Sequence, residues 1–274
     1  LRGNEAPSLS TELALRLSVE VDLSYSVVDV TDVLLQIEPV SDDHQTCVDT
    51  SLVFKGNPAS HVIAGDDGIG RRCWLTLDTV LDCQYRATFD VDRSVAALDG
   101  LAAVPLHTLP AEVVPYLMPS RFCHSEQFDE FVTTQFGHLE GGTLVAEMAD
   151  WINTTFTYNP DASPLGATAT DSFHAKAGVC RDYAHVLITF ARAAGLPARV
   201  GSGYAPSGTP QDFHAVGEVW LDGGWHILDP TGMANPSEMI RIGVGRDAAD
   251  VAFLTSYGPM TFESQSVNVA VVQR

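Results

Sequence analysis

Prolines at 105, 110, 115 and 119 separate two stretches of this chain with different hydrophobic rhythms. Before them apolar residues alternate with polar ones, and after them they recur at three- and four-residue spacing. One layer of secondary structure cannot serve both rhythms, so a β-rich part and a helix-bearing part are required. From about residue 10 to 93 the rhythm is that of strands. Leu13, Leu15, Leu17, Val19 and Val21 alternate with polar partners, the period of a half-buried strand. Leu35 and Ile37 lead into a break at Glu38-Pro39, and Cys47 to Phe54, Arg72 to Leu77 and Thr79 to Val91 are further β-like runs. Lys55-Gly56-Asn57-Pro58 and Asp66-Asp67-Gly68 supply turns. Cys73 and Cys83 flank a turn at Asp78-Thr79 and read as core or strand residues. The expected layout is a β-sandwich over 1–100, a Pro-rich linker over 101–125 and an α+β core over 126–274.

Within the core, Phe128, Phe131 and Val132 mark one helix, and Leu144, Met148, Trp151, Ile152 and Phe156 mark another. Asp161 to Asp171 reads as a loop on a cleft rim. The run from Ala177 to Ala198 then reads as a helix, closed by Gly195 and Pro197, with a cysteine in its first turn. Arg181, His185, Thr189 and Arg192 fall on one face, which predicts a solvated stripe. Cys180, Ala184, Leu187 and Ala191 fall on the face toward the core. A thiol at a helix N-terminus meets unpaired N–H groups and the positive end of the dipole. That setting favours thiolate and can hold an oxyanion. This stretch alone equally allows a buried structural cysteine.

Beyond the helix, Arg199 to Tyr204 is strand-like, and Ala205 to Asp212 is a polar loop. Asp222-Gly223 then signals a two-residue hairpin. With Leu221 opposite Gly224, His214 faces Thr231, and Asp229 is its diagonal neighbour on the same face. His226 falls on the other face. Of the nine histidines only His214 gains a paired acid in this way. His185 sits off the Cys180 face, and His44, His61, His107, His124 and His138 have nothing polar organised near them. Cys180, His214 and Asp229 together make a complete nucleophilic set of thiol, proton carrier and orienter. The tail from Met239 to Arg274 alternates again and is expected to complete the core sheet.

The blocks Gly178-Val-Cys-Arg-Asp-Tyr-Ala-His, Gly195-Leu-Pro-Ala-Arg-Val-Gly-Ser-Gly-Tyr, Asp212-Phe-His-Ala-Val-Gly-Glu-Val-Trp and Gly224-Trp-His-Ile-Leu-Asp-Pro-Thr resemble the transglutaminase-like superfamily of papain-related thiol enzymes. Pro115 to Arg121, Trp151 to Tyr158 and Gly245 to Asp250 look like the bacterial members with an N-terminal β-domain. The resemblance implies a nucleophile helix packed on an antiparallel sheet, and thioester chemistry on amide carbonyls. It implies Cys180 as nucleophile, His214 as base and acid, and Asp229 as orienter. Tyr158 or Trp151 is the expected helper to the oxyanion, and Tyr158 and Tyr204 the expected substrate contacts. Val216 departs from the pattern, because many members carry Trp after His-Ala; a more open acyl site is expected from it.

The 35 acidic and 15 basic residues give a formal charge of −20, which disfavours nucleic acid and anionic membrane surfaces as partners. No apolar run of about 18 residues is present to span a bilayer. No basic-then-apolar leader opens the chain, although a processed chain would look the same. Cysteines at 47, 73, 83, 123 and 180 lack metal-ligand spacing. No metal or other cofactor and a reducing, cytoplasmic setting are therefore expected. The expected partner is a peptide or protein amide; the oligomeric state is not legible. A second class of function stays open, a binding or assembly module that keeps the fold without turnover.

Overall fold

The structure, a computed structural model, describes residues 14–207 and 211–273. Leu13, the start of the first expected strand before it, and positions 208–210 of the polar loop lie outside the described residues. Six strands come first: β1 (Leu15–Val27), β2 (Thr31–Glu38), β3 (Gln45–Phe54), β4 (Ala59–Ala64), β5 (Arg71–Leu77) and β6 (Val80–Val91). Alternation along β1 sends Leu17, Val19, Val21 and Leu23 to one face. They meet Tyr85 and Phe89 of β6 and Val33, Leu35, Leu75 and Leu77 of β2 and β5 in one buried cluster. Cys73 and Cys83 lie in that core. β4 escapes the sequence pattern because it is exposed along nearly its whole length, so no alternation marks it.

The Pro-rich stretch carries only short 3₁₀ turns, at 106–108 and 114–117. It is nonetheless anchored. Tyr116 is buried and its hydroxyl donates to Asp67 Oδ2 at 2.7 Å.

The core follows as α1 (Asp129–Phe136), α2 (Gly141–Thr155), β7 (Thr157–Tyr158), α3 (Ala169–Ala175), β8 (Ala177–Gly178) and α4 (Cys180–Ala193). Then come β9 (Ala198–Tyr204), β10 (His214–Leu221), β11 (Gly224–Leu228), β12 (Ile240–Gly245), α5 (Ala248–Val251), β13 (Leu254–Ser256) and β14 (Met260–Val271). Helix α3 starts inside the stretch expected to be loop. Thr168 accepts the Asp171 N–H at 3.2 Å while Asp171 accepts the Thr168 N–H at 2.9 Å, a capping box that starts the helix. The core sheet is antiparallel, in the order β11-β10-β9-β12. Leu187, Ile188 and Phe190 of α4, together with α2, bury Val200, Val219 and Leu221 of the sheet.

The solvated stripe expected on α4 is corrected by this packing. Every residue from Asp182 to Arg192 is buried, polar ones included. His185 lies flat on Phe122, with ring centroids 5.5 Å apart, and its Nε2 accepts the Ala248 N–H at 3.0 Å. Arg192 donates to the carbonyls of Ala198, Met118 and Arg246 and to Ser120 Oγ. The stripe is polar because it meets irregular backbone, not water.

The tail also departs from expectation. Only β12 joins the core sheet. β13 pairs with β2 and β14 with β1, giving sheets in the orders β13-β2-β5-β4 and β14-β1-β6-β3. The boundary drawn at 126–274 therefore does not follow the sheets, since residues 254–271 belong with the first six strands. Two Val residues explain the destination: Val267 and Val269 are buried in the cluster of β1 and β6. Among the described residues no helix is long and apolar enough to cross a membrane.

Deleting residues 254–274 uncovers one side of β1 from Leu17 to Val27 and the edge of β2 at Val33, Leu34 and Leu35. The expected outcome is loss of soluble, cooperatively melting protein, measured by yield and thermal denaturation. A truncated chain with the full-length melting temperature would show that the strands are dispensable.

Candidate active site

The N-terminus of α4 is built from two sides. Val179 caps the helix, and Asp182 Oδ2 accepts the Val179 N–H at 2.8 Å. Gly178 is required by close approach, because a Cβ there would come within 2.6 Å of the Asp182 Cβ. Next to it the two-residue strands β7 and β8 run parallel, with Tyr158 opposite Gly178. This short pairing carries Tyr158 to the start of the helix. The Tyr158 hydroxyl faces the N–H and the thiol of Cys180. Burial and the neighbouring Cys180 push the Tyr158 phenol up to about 12, against the pull of that N–H.

His214 opens β10 and shares a small cavity of about 30 Å³ with Tyr158, Cys180, Ala205, Asp212, Phe213, Met233 and Ala234. Its Nε2 lies 2.9 Å from Asp229 Oδ2, and its ring shares the cavity with the Cys180 thiol. With Nε2 given to Asp229, Nδ1 is the nitrogen left for the sulfur. Burial by itself would push the imidazole down. The hydrogen bond to Asp229, the neighbouring Cys180 and the charges of both outweigh it and lift His214 to about 10.

Asp229 is held more completely than its partner. Its Oδ1 accepts the Thr231 N–H at 2.9 Å and hydroxyl at 2.7 Å, and its Oδ2 accepts the Ala234 N–H at 2.7 Å. Burial would raise this carboxyl; His214, Thr231 and Ala234 hold it below the ordinary range. The turn is fixed from outside by Asn153 of α2, whose amide donates to the carbonyls of Pro230 and Thr231 at 3.1 and 3.0 Å.

The hairpin register read from the sequence is the one observed, Leu221 opposite Gly224 and Gly217 opposite Leu228. Asp222 and Gly223 both have positive φ, 50° and 80°, as a tight hairpin turn with the strands' own twist requires. Pairing stops at Leu228, so Thr231 does not face His214 but turns back onto Asp229.

Several expected roles fall elsewhere. Tyr204 does not contact the cavity. It is 0% exposed on the other side of the site, donates to the Ile37 carbonyl at 2.8 Å and stacks on Tyr85. Its position in β9 made it a sheet-to-sheet contact. Trp151 packs among Phe131, Phe136 and Phe190 and under the Lys176 ammonium, away from Cys180. Val216 is buried with Ala205, Ala234 and Met239 and does not line the cavity, so it does not open the site. Residues missed by sequence reading are Asp212, Phe213, Met233, Ala234 and Asn153. Asp212 and Phe213 stand directly before His214, and that nearness was the available signal. Among the described residues no cluster of three or more His, Cys, Asp or Glu could hold a metal ion.

Residues 130–230 match the description of the Transglutaminase-like superfamily. A Cytophaga hutchinsonii protein provisionally assigned as a cysteine protease, solved at 1.9 Å, has the same fold with a TM-score of 0.90. It is 29% identical, and the match covers 95% of this chain and 92% of that one. An uncharacterized protein of Mycobacterium leprae is 35% identical over 117 residues, 39% of this chain and 42% of that protein. The protein-glutamine gamma-glutamyltransferase of Pseudomonas aeruginosa is 33% identical over 116 residues, 37% of this chain and 17% of the enzyme. The chain thus spans less than half the length of these two curated relatives.

A raised imidazole stabilises the fold below its unfolded value near 6.5, and that contribution is lost as pH climbs through about 10. The difference in melting temperature between the wild-type chain and His214→Gln is therefore expected to be widest below pH 6.5. It should narrow steadily toward pH 10. A difference that stays constant over this range would show that His214 is not held protonated.

Proposed function

We propose that this chain, whose residues 130–230 form a core of the transglutaminase-like superfamily, is a cysteine enzyme that cleaves amide bonds through a thioester on Cys180. The observation that carries this reading is the continuous arrangement of Cys180 thiol, His214 imidazole and Asp229 carboxylate around one cavity. The sulfur attacks the amide carbonyl, and the carbonyl oxygen takes the charge at the Cys180 N–H. The Tyr158 hydroxyl, which faces that N–H, is placed to donate to the same oxygen. His214 delivers its proton to the leaving nitrogen as the tetrahedral centre collapses to the thioester. Asp229 keeps the ring oriented and its charge balanced. Water or an amine, deprotonated by His214, then attacks the thioester and releases Cys180.

Hydrolysis of a peptide or related amide is the preferred outcome in this reading. Its support is the 29% identity over nearly the whole chain to the Cytophaga protein provisionally assigned as a cysteine protease. Acyl transfer to an amine is the alternative, supported by the shorter match to the Pseudomonas transferase. The binding-module reading retains one observation in its favour. The cavity at Cys180 holds about 30 Å³, whereas one of about 610 Å³, lined in part by Arg199, Trp220 and Trp225, lies elsewhere on the surface.

A glutamine-containing peptide library, offered with and without a primary amine and followed by mass spectrometry, separates the three. Expected are hydrolysed products that vanish with Cys180→Ala and fall about 10²- to 10⁴-fold with His214→Ala. Amine incorporation at the expense of hydrolysis would establish the transferase. No product dependent on Cys180 would leave the binding module.

A further inference from the structure

The segment leading into His214 is fastened to β14, far from it in sequence. Gln211 donates from Nε2 to the Val269 carbonyl at 2.8 Å and accepts the Val269 N–H at the same distance. Gln265 Nε2 donates to Asp212 Oδ1 at 2.7 Å, and the Phe213 N–H donates to that same oxygen at 2.8 Å. Phe213 stacks on Phe253 with centroids 4.3 Å apart. Asp212 is thus an ordered carboxylate in the wall of the cavity that holds Cys180 and His214. Both of its hydrogen bonds go to Oδ1. Among the described residues none donates to Oδ2, and no Lys or Arg pairs with this acid. Among the described residues that line the cavity, the one basic side chain is His214, and it is committed to Asp229. Burial pushes the Asp212 carboxyl up, with the Phe213 N–H and Gln265 pulling back. The Asp212 charge is also felt at the Tyr158 phenol, which lines the same cavity.

Asp212 is exposed to solvent at the rim of the cavity, and an ordered carboxylate there without a cation is an arrangement that a positively charged ligand can complete. We propose that Asp212 is a specificity-determining residue that selects substrates carrying a cationic group beside the reacting carbonyl or on the incoming nucleophile. The shared chemistry is an ammonium or guanidinium group. Its sources are a lysine or arginine side chain of the cleaved peptide, or a primary amine as acceptor. The inference rests on the thiol-enzyme reading for its biological meaning, but the field at Cys180 can be measured without turnover.

The test uses three methanethiosulfonates of matched size on the full chain: a trimethylammonium, a sulfonate and a neutral methyl reagent. Modification of Cys180 is followed by site-resolved mass spectrometry at low salt, and the cationic-to-anionic rate ratio is normalised to the neutral reagent. One unit charge a few ångströms from the sulfur is worth about three- to tenfold in this ratio. Asp212→Asn should lower the ratio by that factor, Asp212→Glu should retain it, and added salt should compress it in the wild type. Glu126→Gln, on an exposed turn outside the lining of the cavity, reports the effect of net charge alone. A ratio unchanged in Asp212→Asn, or lowered equally by Glu126→Gln, overturns the proposal. In the arms that read turnover, Asp212→Asn should raise KM for peptides with Lys but not norleucine beside the cleaved bond, or for amine but not neutral acceptors. If all reagents modify Cys180 no faster than in His214→Ala, the nucleophile reading fails, while the ratio still decides the role of Asp212.

Discussion

A helix enclosed on every side cannot shift without unpacking its neighbours, and α4 is such a helix. Its apolar residues Leu187, Ile188 and Phe190 are held by the core sheet and α2. Its polar residues are held as firmly. Arg192 spends its donors on three carbonyls and a hydroxyl from three separate segments, so its charge sits at the C-terminal end of the helix, where the dipole favours a cation. His185 and Asp182 tie the remaining turns to α5 and to the helix start. The position of Cys180 follows from these contacts, and so does the position of everything that must meet it.

The parts that meet it arrive by different routes. Tyr158 comes through a two-residue parallel pair, His214 through the first position of a sheet strand, and Asp229 through a turn braced by α2. Asp229 accepts from three groups besides the imidazole, which leaves the imidazole as the adjustable member. A charge relay is not needed for this arrangement to work; a fixed carboxylate that orients and balances the ring suffices.

What could be read in the sequence was whatever local pattern controls. Asp222-Gly223 set the hairpin, and the hairpin set the neighbourhood of His214 and Asp229. Period-two runs gave most strands, and the helical stripes of α1 and α2 were visible. What failed was inference from polarity to solvent. His185 and Arg192 are polar because backbone lies against them, and Tyr204 is buried because a second sheet lies behind the first. The pairing of β14 with β1 had no local signal at all. Two alternating strands of matching length can pair with many partners, and only the assembled cluster around Val267 and Val269 selects one.

That pairing has a consequence for how the molecule is made. β1 is an inner strand of its sheet, between β14 and β6, yet β14 is synthesised last among the elements described. While the chain emerges from a ribosome, β1 keeps an open hydrogen-bonding edge through the whole production of the core. The core can collapse around α4 in that interval, but the segment before His214 gains its anchors on Val269 and Gln265 only when the final strand docks. Docking of β14 and completion of the site are therefore one event, and a chain released before β14 is made carries the thiol without the finished wall beside it.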